Sequence, residues 1–130
     1  MDDPIWINSD LAKAIHARQL AEHGGADGLR DAGLLDSALG RPRHLFAFTA
    51  STPDVPNLAA AYAFGIAKNH AFIDGNKRTA LVVCLTFIAL NGYTFSATKE
   101  DTYRTFLGLA AGDVSEDQFA QWLIAHTSKA

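Results

Sequence analysis

The sequence is short of several things, and each shortage removes a class of explanation. It has a single cysteine, Cys84, so no internal disulfide can staple the chain, and a reducing compartment suits it. Cys84 lies inside an apolar run and reads as a small buried hydrophobe. Positive charge is not in excess: 11 Lys and Arg face 14 Asp and Glu, for a net charge of −3. That balance argues against a broad nucleic-acid footprint. No hydrophobic stretch is long; the best, Ala80 to Leu90, falls well below the roughly 20 residues that span a bilayer. The opening "MDDPIWINSD" has neither a basic region nor an apolar core, so no secretory signal is read there. A cytoplasmic protein without direct membrane or nucleic-acid contact is the expectation.

What remains is an ordinary globular composition, 48% hydrophobic over 130 residues, enough for one domain with a real core. Nearly all of it has helical character. Ser9 is read as the N-cap of a first helix that stops at Gly24-Gly25. A second starts near Asp31 and is expected to be interrupted by Gly40 and Pro42. The latter half of "RHLFAFTASTPDVPN" reads as loop or extended chain. Asp54 caps a third helix, with Pro56 in its first turn. A fourth begins around Asn76 and ends at Asn91-Gly92. Thr98 with Asp101, and Ser115 with Gln118, read as capping boxes opening the fifth and sixth. Only "GYTFSA" looks strand-like. The fold class is therefore all-α, a single-domain six-helix bundle. The fourth helix is apolar almost all round, so it is expected to be the central column.

Directly before that apolar run the chain places His70, Asp74, Asn76, Lys77 and Arg78 within nine positions. A helix N-terminus leaves backbone N–H groups unpaired and carries the positive end of the dipole. Gly75 lets the backbone turn or approach a ligand, Asn76 offers an amide, and Lys77 and Arg78 add charge. Together they suit a di- or triphosphate. Two cations at a helix N-terminus oppose the dipole, and such a local conflict marks a functional site. Asp74 could hold Mg2+ alongside phosphate oxygens and water. His70 could take a proton from a hydroxyl. Taken singly these residues mean little: Asp74-Gly75 is a turn, Lys-Arg a solvated face, and His70 with Asp74 lacks further ligands for a protein-only metal site.

As an ordered set, "HAFIDGNKRTA" from His70 to Ala80 resembles the signature of the Fic/Doc superfamily, H-x-F-x-(D/E)-G-N-(G/K)-R-x-x-R, and within it the Doc (death on curing) toxin branch. His70, Phe72, Asp74, Gly75, Asn76, Lys77 and Arg78 match. The stretch from Gly28 to Pro42 is also similar to Doc sequences. Two positions depart from the nucleotide-transferring Fic pattern: Lys77 stands for glycine and Leu81 for the second arginine, as in Doc members. The resemblance implies an ATP-dependent protein kinase that presents the γ-phosphate to elongation factor Tu, and AMP transfer is the alternative. A regulatory protein without catalysis is a further one.

Carried over by position, the resemblance makes His70 the general base and Asp74 the Mg2+ ligand. Gly75, Asn76, Lys77 and Arg78 become phosphate-binding, with Lys68 a further basic residue, and Phe72 anchors the loop in the core. It also implies a target-docking flap over roughly Phe46 to Asn57, and a Phd-type antitoxin whose tail folds onto the toxin. "SATKED", Ser96 to Asp101, is a poor match to the inhibitory helix of other Fic proteins. The remaining histidines, His16, His23, His44 and His126, read as ordinary, and Trp6 and Trp122 as packing.

Overall fold

The computed structural model describes residues 3–49 and 53–130. Six helices follow one another: α1 (Ser9–His23), α2 (Ala32–Phe48), α3 (Val55–Asn69), α4 (Asn76–Leu90), α5 (Lys99–Ala111) and α6 (Glu116–Ala125). A short antiparallel pair, β1 (Tyr93–Phe95) and β2 (Thr127–Lys129), ties the end of the chain to the turn after α4. The strand character of "GYTFSA" is real; its partner, polar "TSK" with no apolar alternation, carries no signal that would announce it. The all-α class holds.

The central column is α3, which corrects the expectation that α4 would fill that place. Val55, Pro56 and almost every residue from Leu58 to Ala67 are buried, and α3 packs against α2, α4, α5 and α6. On α4, Leu81, Val82 and Leu85 are half-buried and Leu90 is exposed. The reason lies in side-chain size. Ala59, Ala60, Ala61, Ala63, Gly65 and Ala67 let neighbouring helices approach α3 from every side, whereas the bulky residues of α4 cover the core from one side. On that side Val83, Phe87 and Ile88 are all within 1% of complete burial.

Nor do Gly40 and Pro42 break α2, which runs through both to Phe48. Proline has no N–H for the carbonyl one turn back, here that of Ala38. There α3 packs tightly on α2: a Cβ on Gly65 would lie 3.2 Å from both the Cα and the carbonyl oxygen of Ala38. Tertiary contact carries the helix across a local penalty. The implied flap therefore begins inside α2 and ends inside α3, with its middle, residues 50–52, outside the described residues.

The N-caps match expectation in part. Asn8, not Ser9, caps α1: its Oδ1 accepts from the Leu11 N–H at 2.9 Å, while Ser9 is already helical. Asp54 is the N-cap of α3 by position, without a side-chain bond. Ser115 and Gln118 form the full reciprocal box on α6. At α5, Thr98 accepts from the Asp101 N–H at 3.1 Å, while the Asp101 carboxylate accepts from the Trp122 indole at 3.0 Å. Trp6 stacks on Phe87 and meets Phe46 edge-on. Both tryptophans pack.

Candidate active site

The C-terminus of α3 and the N-terminus of α4 are joined by residues 70–75, and this loop is held from outside. The segment between α1 and α2 runs antiparallel to it: Ile73 N–H donates to the Gly28 carbonyl at 3.0 Å, and the Arg30 and Asp31 N–H groups both donate to the Ala71 carbonyl. Leu29 and Phe72 pair as an isolated bridge. The Arg30 guanidinium donates to the His70 carbonyl at 2.8 Å and to that of Asn69 at 3.3 Å, so a cation caps the C-terminal end of α3. The Gly28 to Pro42 stretch thus does its work here, as the backing of the motif loop.

His70 is the C-cap of α3, at φ 50° and ψ 49°, and is the sole non-glycine residue with positive φ among those described. Left-handed backbone in a residue with a Cβ stores strain and recurs at functional positions. The conformation ends the helix and leaves the imidazole exposed.

A cavity of about 590 Å³ opens at this point. His70, Asp74, Gly75, Asn76, Lys77 and Arg78 all line it, so the structure brings these six residues to one place. No side chain caps α4, whose N-cap is Gly75 in the left-handed region at φ 76°. The first N–H groups of α4 thus keep their capacity for an anion, with the exposed Lys77 and Arg78 beside them.

Asp74 is exposed, and its carboxylate accepts from the Gly75 N–H at 2.8 Å and the Ala26 N–H at 3.2 Å. Those two bonds, Ala26 first, with help from Arg78 and His16, hold its carboxyl below the usual range. It is an ionised, hard oxygen donor. No group of three metal-ligating side chains occurs among the described residues. A single carboxylate beside a helix N-terminus suited to anions could hold Mg2+, whose remaining positions phosphate oxygens and water would fill.

Three sequence readings change. Asn76 is buried, and its amide is committed to the main chain of Phe72: Oδ1 accepts from the N–H at 3.0 Å and Nδ2 donates to the carbonyl at 2.9 Å. Its side chain fastens the loop and is not free for a phosphate. Lys68 does not line the cavity; its ammonium donates to the Ala110 carbonyl at 3.0 Å, at the C-terminal end of α5. His16 is not ordinary. It is buried, its Nε2 lies 2.8 Å from the Asp74 carbonyl, and its ring lies 3.8 Å from that of Phe72 at an interplanar angle of 8°. Nothing local to "KAIHARQ" signals this, because the partner is 58 positions away.

The structure also adds residues that the motif did not contain. His23, Gly24 and Gly25 at the end of α1 and Tyr103, Phe106 and Leu107 of α5 also line the cavity. Another cavity, of about 520 Å³, lies between α2 and α6 beside an Arg41–Glu116 ion pair, and contains none of the motif. Among the described residues no helix is long and apolar enough to cross a membrane.

Comparison with known proteins agrees with this geometry. A family profile described as "Fic/DOC family" matches residues 6–88, a span that begins before α1 and ends within α4. The chain is 33% identical over 117 residues to "Protein kinase doc" of Escherichia phage P1, covering 90% of this chain and 91% of that one. It is 42% identical over 74 residues to "Toxin Doc" of Mycolicibacterium smegmatis, where the match spans 57% of each chain. The family match spans the loop in which Phe72, buried, anchors His70 and Asp74 beside the uncapped start of α4. The chain belongs to the Fic/DOC family, on its Doc toxin branch.

Proposed function

We propose that this protein is a toxin kinase that transfers the γ-phosphoryl group of ATP to a Ser or Thr hydroxyl of elongation factor Tu and so arrests translation. The observation that carries this reading is the convergence of His70, Asp74 and the uncapped α4 N-terminus on one cavity. Support for a kinase rather than a nucleotidyltransferase comes from Lys77 and Leu81, which replace the glycine and second arginine of the AMP-transferring pattern, and from the phage relative named as a protein kinase.

In this mechanism His70 accepts the proton of the target hydroxyl as its oxygen attacks the γ-phosphorus. A new O–P bond forms, the bond from the γ-phosphorus to the β,γ-bridging oxygen breaks, and ADP leaves. The α4 N–H groups, Lys77 and Arg78 orient the phosphates and offset the charge that builds on them, so catalysis is mainly positioning and electrostatic stabilisation. Mg2+ at Asp74 supplies further charge neutralisation when bound. A Phd-type antitoxin is the partner expected to silence the toxin.

The test is the intact mass of purified elongation factor Tu after incubation with the protein, Mg2+ and ATP, with His70→Ala in parallel. A gain of one phosphate, absent with the variant, is the expected result. A nucleotide-sized gain would replace the kinase with nucleotidyl transfer, and an unchanged mass would remove elongation factor Tu as the target.

A further inference from the structure

We propose that His16, which lies outside the motif, is a positioning residue for Asp74, and that α1 and the turn just past it hold this aspartate at both ends: by its carbonyl through His16 and by its carboxylate through Ala26.

The Asp74 carbonyl can only accept, so Nε2 of His16, 2.8 Å away, carries the hydrogen. In the neutral ring this leaves Nδ1 without a proton. His16 is 4% exposed and its ring lies flat on Phe72, itself 2% exposed. One turn further along α1, Leu20 continues the same support. A Cβ added to Gly75 would meet Leu20 at 3.3 Å and the His16 ring at 3.7 Å. Past the end of α1, at Gly24 and Gly25, the Ala26 N–H reaches the Asp74 carboxylate. Asp74 is thus gripped from one direction, by groups on or just beyond a single helix, while its carboxylate still faces the cavity. An aliphatic residue at position 16 would fill this buried space without the cost of burying an imidazole. The ring makes sense for its one directed bond: it fixes the rotation of the Asp74 peptide, and hence where the carboxylate and the Gly75 turn stand relative to the α4 N-terminus. Held groups of this kind need their own supports to be rigid.

Two variants of the full chain separate this role from packing. His16→Phe keeps a flat ring against Phe72 and loses the donor. His16→Gln loses the ring and keeps an N–H close to the former Nε2. Amide exchange at Ala26 and Gly75, the two groups that bond the carboxylate, is read by NMR in the absence of nucleotide, beside the melting temperature. Exchange at both is expected to accelerate by at least about tenfold in His16→Phe and to stay near wild type in His16→Gln. If His16→Phe does not fold, His16→Leu takes its place as the donorless variant. Equal exchange in the donor-bearing and donorless variants, or exchange that simply follows melting temperature, overturns the assignment.

The activity arm rests on the kinase reading: kcat for phosphoryl transfer should fall at least about tenfold in His16→Phe with KM for the protein target little changed, and recover in His16→Gln. A kcat that falls alike in both variants overturns the role in transfer. Should the wild type transfer no phosphate, that reading fails by itself and the exchange comparison alone decides on His16.

Discussion

The side chain of Asn76 closes a small ring on the backbone of Phe72, accepting from its N–H at 3.0 Å and donating to its carbonyl at 2.9 Å. Both partners are buried. Asn76→Ala leaves two main-chain groups of Phe72 without these partners, each costing about 1–3 kcal/mol. Urea unfolding should show that loss, and Asn76→Asp, which keeps the acceptor and removes the donor, should not restore it. A variant as stable as wild type would mean that water or a rearranged loop satisfies Phe72.

His70 separates stability from chemistry. Its backbone is left-handed, a conformation that costs an L-residue roughly 1–2 kcal/mol and glycine nearly nothing. Glycine also loosens the unfolded chain, by roughly 0.4–1 kcal/mol. His70→Gly should therefore be at least as stable as wild type while losing phosphoryl transfer. Thermal melting and the mass assay together check this, and a clear fall in melting temperature would show that the imidazole makes contacts that offset the strain.

Gly24 and Gly25 make a matched pair. Both have positive φ, but a Cβ at Gly24 meets nothing, whereas one at Gly25 would lie 2.9 Å from Asp74 Oδ2 and 2.9 Å from Leu20. Alanine at either site brings backbone strain of about 1–3 kcal/mol. Only Gly25→Ala should in addition displace the carboxylate, so its activity should fall much further than that of Gly24→Ala at similar stability. Equal activities would show that the carboxylate shifts without consequence.

Lys68 should matter to the fold more than to the nucleotide. With its ammonium on the Ala110 carbonyl, at a helix C-terminus, Lys68→Met is expected to cost about 0.3–1 kcal/mol. Affinity for ATP, measured by calorimetry, should stay close to wild type. A large loss of affinity would return Lys68 to the phosphate site.

Tyr62 predicts the alkaline limit. The ring is fully buried, and its hydroxyl accepts from the Ile7 N–H at 2.9 Å. Burial raises its pKa, against smaller lowering effects from the Ile7 bond and Arg43. Because the folded value lies above the unfolded one, the stability tied to the neutral phenol is present below the unfolded pKa. It drains away as pH rises from there through the folded value. Unfolding free energy should decline above the ordinary tyrosine range. Tyr62→Phe should shrink that decline, while costing about 1–3 kcal/mol at neutral pH for the unpaired Ile7 N–H.

Much of this protein is legible in its sequence because the relevant physics is local. Glycine after a helix, a Ser or Thr three residues before its partner and an apolar 3.6-residue period act within a turn or two, and they mark α1 to α6 to within a few residues, the passage through Gly40 and Pro42 apart. The motif likewise announces itself, since His70 to Arg78 are contiguous and their types conflict with a helix start built for stability alone. Tertiary structure decided what each of those residues does. Asn76 looks like a ligand until Phe72 takes both its groups, Lys68 looks like a phosphate contact until Ala110 stands in front of it, and His16 looks idle until α1 lies against the loop. The same holds for α3 and α4: hydrophobicity ranks the two helices as similar, but only packing reveals that the small side chains of α3 admit neighbours on every side. Hydrogen-bond capacity belongs to a residue, whereas the partner that uses it is set by groups brought together from across the chain.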